Sequence, residues 1–161
     1  VATAIFDAYN AWLALIKTAL PTLTANGAIY DGPQAGYVTN TDFVVVGADD
    51  LTATGPVVAV DSGQQQWIAL MNSTSRHADE TFPIFSVLGA WIGNDDFAAC
   101  RARAKTNINA IFAALAPDLT LGGALTGPGW SGMSVVGMSV APSPDGPALH
   151  VPFVLTCRAR V

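Results

Sequence analysis

The stretch from Glu80 to Ala116, ETFPIFSVLGAWIGNDDFAACRARAKTNINAIFAALA, constrains the fold more than any other. Between Phe82 and Ile92 apolar side chains occupy both alternating faces. Phe82, Ile84, Leu88, Ala90 and Ile92 lie on one side; Phe85, Val87 and Trp91 lie on the other. A strand with two apolar faces is covered on both, by helix, second sheet or neighbouring subunit. Gly93 breaks it, and Asn94-Asp95-Asp96 supplies a helix N-cap with acidic residues in the first turn. From there Phe97, Cys100 or Arg101, Ala104, Ile108, Ile111, Phe112 and Leu115 follow helical spacing until Pro117 ends the run. The expected centre is a buried strand, a tight turn and a long helix folded back on the sheet.

The flanking segments fit around that centre. Residues 3 to 20 read as an amphipathic helix with Ile5, Phe6, Tyr9, Trp12, Leu13, Ile16 and Leu20 as its stripe, closed by Pro21. Ala28-Ile29-Tyr30 is a short strand before the turn Asp31-Gly32-Pro33, and Asp42 to Gly47 is a second. Ala48 to Pro56 reads as a polar loop, with Val57 to Val60 a short apolar segment after it. Gln64 to Asn72 is a further strand, and Arg76 to Glu80 a charged turn. Beyond Pro117, residues 118 to 129 form a Gly-rich, flexible connection. Trp130 to Ala141 alternates weakly, Pro142 to Pro147 is a turn, and the closing strand alternates cleanly. Leu149, Val151, Phe153, Leu155, Cys157, Ala159 and Val161 share one of its faces. Pro152 has no N–H to give a ladder, so part of this strand belongs at an edge or a start. The expected fold is α+β in one domain over 1–161: a mostly antiparallel sheet with an N-terminal helix and a long second helix packed on it.

Charge narrows the function classes. The chain of 161 residues is 51% hydrophobic and only 12% charged, which suits a subunit whose surface is hidden in an assembly, with an ordinary compact monomer as the alternative. Its net charge of −5 argues against gripping a nucleic-acid backbone, which needs a stripe of Lys and Arg. Arg101, Arg103, Arg158 and Arg160 form two short clusters that read as solvated or intersubunit faces. No run reaches the roughly 18–20 apolar residues of a membrane span. The N-terminal stretch carries Asp7, Asn10 and Lys17 and reads as a helix, not a signal peptide. Cys100 and Cys157 could touch if helix and sheet pack; they read as two buried thiols, with a disulfide as the alternative.

No motif supports catalysis, a cofactor or a metal. Gly137-Met138-Ser139-Val140-Ala141 half matches a nucleophile elbow, but Pro142 and Pro144 forbid the helix that must follow. His77 and His150 have no partner at metal-ligand spacing. Of the acidic pairs, Asp95-Asp96 caps a helix, Asp49-Asp50 sits in a solvated loop, and Asp79-Glu80 belongs to the charged turn. Gly122-Gly123 to Gly129 lacks the Gly-Lys-Ser/Thr of a phosphate loop.

The order of landmarks is distinctive. After the leading helix come Tyr30-Asp31-Gly32-Pro33, Asp42-Phe43-Val44-Val45-Val46-Gly47, Trp67 in a strand, and Ala90-Trp91-Ile92-Gly93-Asn94-Asp95-Asp96 running into Arg101-Ala102-Arg103-Ala104. Asp118-Leu119-Thr120-Leu121-Gly122-Gly123 and Cys157-Arg158-Ala159-Arg160-Val161 complete the set. In this order the chain resembles, over nearly its whole length, the tail terminator proteins of long-tailed bacteriophages, particularly those of actinobacterial hosts. Pro83 departs from the pattern and leaves open whether residues 79–83 belong to the sheet. The resemblance implies a hexameric ring at the head-proximal end of the virion tail, assembled in the host cytoplasm. Such a ring caps the tail tube protein, ends tail polymerisation and joins the tail to the head connector or neck protein. Six copies at −5 carry −30, so genomic DNA would pass through the lumen without specific binding. Asp49 and Asp50 are the expected lumen or rim positions. The loops 48–56 and 118–129, the second with Gly122, Gly123 and Thr126, are the expected axial contacts, and deleting 122–127 would give folded subunits with overlong or headless tails. The alternatives are another head-to-tail joining or tail-tube protein, a small binding module, or a small hydrolase.

Overall fold

The computed structural model describes residues 3–32, 42–48, 64–68, 77–92, 97–143 and 146–161, with backbone alone at 64–68, 77–78, 141–143 and 146. Helix α1 (Ile5–Ala19) buries Ala8, Trp12, Leu13 and Ile16. Phe6, expected on that stripe, is 71% exposed. It lies two residues from Ala8, about 200° around the helix at 3.6 residues per turn, so it faces away from the sheet. Pro21 does more than end α1. It opens a second short helix, α2 (Pro21–Ala25), in the first turn, where a missing N–H leaves no bond unmade.

Seven strands follow the chain as β1 (Ile29–Asp31), β2 (Phe43–Val46), β3 (Gln64–Ile68), β4 (His77–Trp91), β5 (Trp130–Val135), β6 (Ser139–Ser143) and β7 (Gly146–Arg160), with α3 (Phe97–Leu115) between β4 and β5. They form one sheet in the order β1-β2-β4-β7-β5, with β3 also on β4 and β6 also on β7. Only β1–β2 is parallel, so the fold is α+β and mostly antiparallel. The spine is the β4–β7 ladder, running from Asp79 opposite Arg160 to Trp91 opposite Ala148. Three expectations are corrected here. The charged turn ends at strand, since residues 77–80 belong to β4. Trp130 to Ala141 is two strands, β5 and β6, separated by residues 136–138. The turn after Pro142 is shorter than its prolines suggest, because β6 reaches Ser143 and β7 begins at Gly146. The apolar segment 57–60, residues 69–72 and the cap at 94–96 lie outside the described residues.

Both internal prolines are tolerated for one reason. Gly47 donates its N–H to the carbonyl of Phe85, so odd-numbered residues of β4 turn their polar backbone toward the β2–β3 edge. Pro83 therefore points into the gap between β3, which ends opposite Thr81, and β2, which ends opposite Ser86. Residues 79–83 thus belong to the sheet. On β7 the carbonyl of Pro152 accepts from Val136, and Pro152 falls in the matching gap between β5 and β6. Neither site asks a proline for a donor.

Helices α1 and α3 cover one face of the spine. Phe82, Ile84, Leu88 and Ala90 of β4, with Leu149, Phe153, Leu155 and Cys157 of β7, are buried there as the alternation predicts. Trp12 meets Phe153 edge-on at 6.3 Å between centroids, and its indole N–H donates to Ser86 Oγ at 3.3 Å. From α3, Cys100, Ala104, Ile108, Ile111 and Leu115 face the sheet. Phe97 and Phe112, expected on that stripe, lie at its exposed borders. The opposite face is only partly closed. Phe43, Val45 and Val87 are buried on it, while Phe85, Trp91 and Val154 stay half-exposed. The Phe43 ring lies directly on Gly89, where an added Cβ would overlap it, and meets His150 edge-on.

Cys100 and Cys157 are both buried free thiols. Burial pushes the Cys157 thiol up to about 12. Burial, then the hydrogen bond to Asp31, raises the Tyr9 phenol as well. Both groups ionise more readily unfolded, so their contribution is complete at neutral pH and is lost as pH climbs. For Cys157 the loss runs from about pH 9 to about 12 and totals about 4 kcal/mol at most. Urea midpoints of wild type should fall over that window, and the slope should flatten in Cys157→Ala. An equal slope in both would refute the assignment.

Candidate functional site

Asp49 and Asp50 lie outside the described residues. The loop 118–129, expected to be flexible, is built on Asp118. Its carboxylate accepts the Thr120 hydroxyl at 2.6 Å and the backbone N–H groups of Thr120 and Gly122 at 2.8 and 2.7 Å. These bonds, the Thr120 hydroxyl foremost, hold the Asp118 carboxyl below its usual range. Gly122 and Gly123 cross the tip with φ of 67° and 85°, exposed and in the left-handed region that favours glycine. Leu121 and Leu125 turn inward and are buried. Thr126 does not project freely: its hydroxyl donates to the Arg160 carbonyl at 2.6 Å, and its own carbonyl accepts the Arg160 N–H at 3.0 Å. A deletion of 122–127 removes Leu125 from the core, so it is not a clean probe of surface contacts.

The acidic pair Asp79-Glu80 separates across the strand. Asp79 accepts from Arg158 at 3.0 Å and from Arg160 at 2.9 Å, and Arg160 is the main reason its carboxyl sits low. Glu80 is 1% exposed on the helix side. Its carboxylate accepts the Thr3 hydroxyl at 2.6 Å and the Ala4 N–H at 2.8 Å, meeting the N-terminus of α1. Arg103 pairs with Asp42 at 3.2 Å and donates to the Trp91 carbonyl at 2.6 Å, tying α3 to β2 and β4. Three of the four clustered arginines are thus occupied within the chain. Sequence spacing had no signal for the bonds of Arg103 to Asp42, of Ala4 to Glu80 and of Arg160 to Asp79, whose partners lie about 60 to 80 residues apart along the chain.

One pairing was not anticipated. Ser139 stands directly opposite His150 in the β6–β7 ladder. A hydrolytic dyad also needs an oriented base and donors for the developing oxyanion, and a shared register supplies neither by itself. Among the described residues no group of three or more His, Cys, Asp or Glu gathers as a metal site would require.

The feature that stands out is the free side of the sheet. Because Val136 donates to β7, the even residues of β5 face β7, while Met133 and Val135 turn their N–H and C=O groups outward. No described strand pairs with that edge. The run from Ser134 to Val140 is exposed throughout, with Val136 at 64%, Met138 at 56% and Val140 at 53%. Between this run and α3 lies a groove of about 360 Å³. Ala104, Ile108, Val135, Met138 and Val151 make it apolar, and the exposed Arg101 and Lys105 also line it. The Arg101 guanidinium lies 5.0 Å over the Phe97 ring. Among the described residues, then, an unpaired strand edge lies beside an apolar groove whose lining includes two cations.

No helix among the described residues is long and apolar enough to cross a membrane. No family model matches this chain, and no curated protein matches it.

Proposed function

We propose that this chain is a ring-forming tail terminator of a long-tailed bacteriophage. Six copies cap the tail tube protein, end its polymerisation and join it to the head connector. The observation that carries the proposal is the β5–β6 edge, which no described strand pairs, with its row of exposed Val135, Val136, Met138 and Val140. A compact chain with so few charges gains by having such a row covered by sibling copies or by the tube. The landmark order over nearly the whole chain supports the same assignment, and the −5 charge suits a bore through which DNA slides without sticking. No bond-making step is part of this function.

The direct test is a phage lacking the chain. Tails should grow overlong and remain headless, and supplying the wild-type chain should restore normal particles. In imaged particles the chain should form a six-fold ring at the head-proximal end of the tail. Tails of normal length without the chain would overturn the proposal.

A further inference from the structure

We propose that the groove between α3 and the β5–β6 run receives Phe6 of a second copy of this chain. The inference rests on the ring-forming function above and names the contact that would build it. Phe6 is the most exposed large apolar side chain of the described residues, at 71%, and stands in the first turn of α1 beside exposed Asp7. The groove offers the complement: apolar Ile108, Val135 and Met138 together with the cations Arg101 and Lys105 in one lining. A cavity of about 150 Å³ already takes a benzene ring, so 360 Å³ accommodates a phenyl side chain together with its neighbour. Asp7 then meets Arg101 and Lys105, which gives the contact its polarity and a dependence on salt.

A copy cannot fill its own groove. The start of α1 is bonded to Glu80, whereas Val151 in the groove pairs with Leu88. That separation along β4 is roughly 26 Å at 3.3 Å per residue. Knob and hole therefore lie toward opposite ends of the subunit, the arrangement that yields head-to-tail contacts and closes into a ring when the rotation allows.

Cysteine pairing tests this. Phe6→Cys and Met138→Cys alter exposed positions, and the native thiols Cys100 and Cys157 are buried and so give little background. Under copper phenanthroline, mixing the two single variants should give linked dimers only, joined from position 6 to position 138. The double variant should give a ladder of higher species. Phe6→Ala should weaken association about ten- to a hundred-fold. Three results would overturn the contact while leaving the ring in place: links between two positions 6, assemblies by light scattering with no 6–138 link, or a link from position 138 to a different protein in finished tails. A chain that forms no assembly in solution and no ring in the particle would remove both the contact and the proposed function.

Discussion

Trp12→Ala should destabilise the chain by about 4 kcal/mol, the largest loss expected from any single truncation here. Trp12 has no exposed surface and is the largest fully buried side chain among the described residues. Truncation opens a cavity between α1 and the β4–β7 spine, removes the edge-on contact with Phe153, and leaves the Ser86 hydroxyl without its donor. Since domains of this size are stable by only about 5–15 kcal/mol, the variant would sit close to its unfolding threshold. The urea midpoint should fall steeply with little change in slope. Trp12→Phe keeps most of the ring volume and should cost about 1–2 kcal/mol, chiefly through the orphaned Ser86. A loss below about 1 kcal/mol for Trp12→Ala would mean that the α1–sheet layer is not the main core.

Where local pattern decided the structure, the sequence was legible. The alternation from Leu149 to Ala159 and the spacing of Cys100, Ala104, Ile108, Ile111 and Leu115 are each set by which face meets the core, and both stand in the structure. Misreadings occurred where the deciding partner is remote in sequence. Asp79 and Glu80 look like a solvated turn until Arg158, Arg160 and the start of α1 are brought beside them. Pro83 looks like a strand breaker until the gap between β2 and β3 is known. Residues 118–129 look flexible because glycine composition hides the two leucines and the aspartate that fold the loop. The groove was illegible for the same reason: Arg101 and Lys105 on α3 and Met138 after β5 belong to one surface only through the tertiary fold. Of the expected contact positions, Gly122 and Gly123 are exposed as a contact requires, whereas Thr126 is bonded back to β7.

Glu80→Ala should cost about 3 kcal/mol and should also reach the proposed assembly contact, which most core substitutions would not. The carboxylate is buried and accepts the hydroxyl of Thr3 and the N–H of Ala4 at the start of α1. Its removal leaves those donors unmet beside a helix end whose partial positive charge had been balanced. The first turn of α1 should then fray, seen as faster amide exchange at residues 4 to 8 while β4 and β7 stay protected. Phe6 and Asp7 ride on that turn, so association should weaken even though neither residue has been altered. Glu80→Gln separates the two parts of the effect. It keeps an acceptor and the side-chain shape, so it should retain the turn and lose mainly the charge interaction, at about 1 kcal/mol. If Glu80→Ala left exchange at residues 4 to 8 unchanged, α1 would be held by its buried stripe alone and the carboxylate would not be its anchor. If exchange rose while association stayed intact, the copy-to-copy contact would not run through the start of α1.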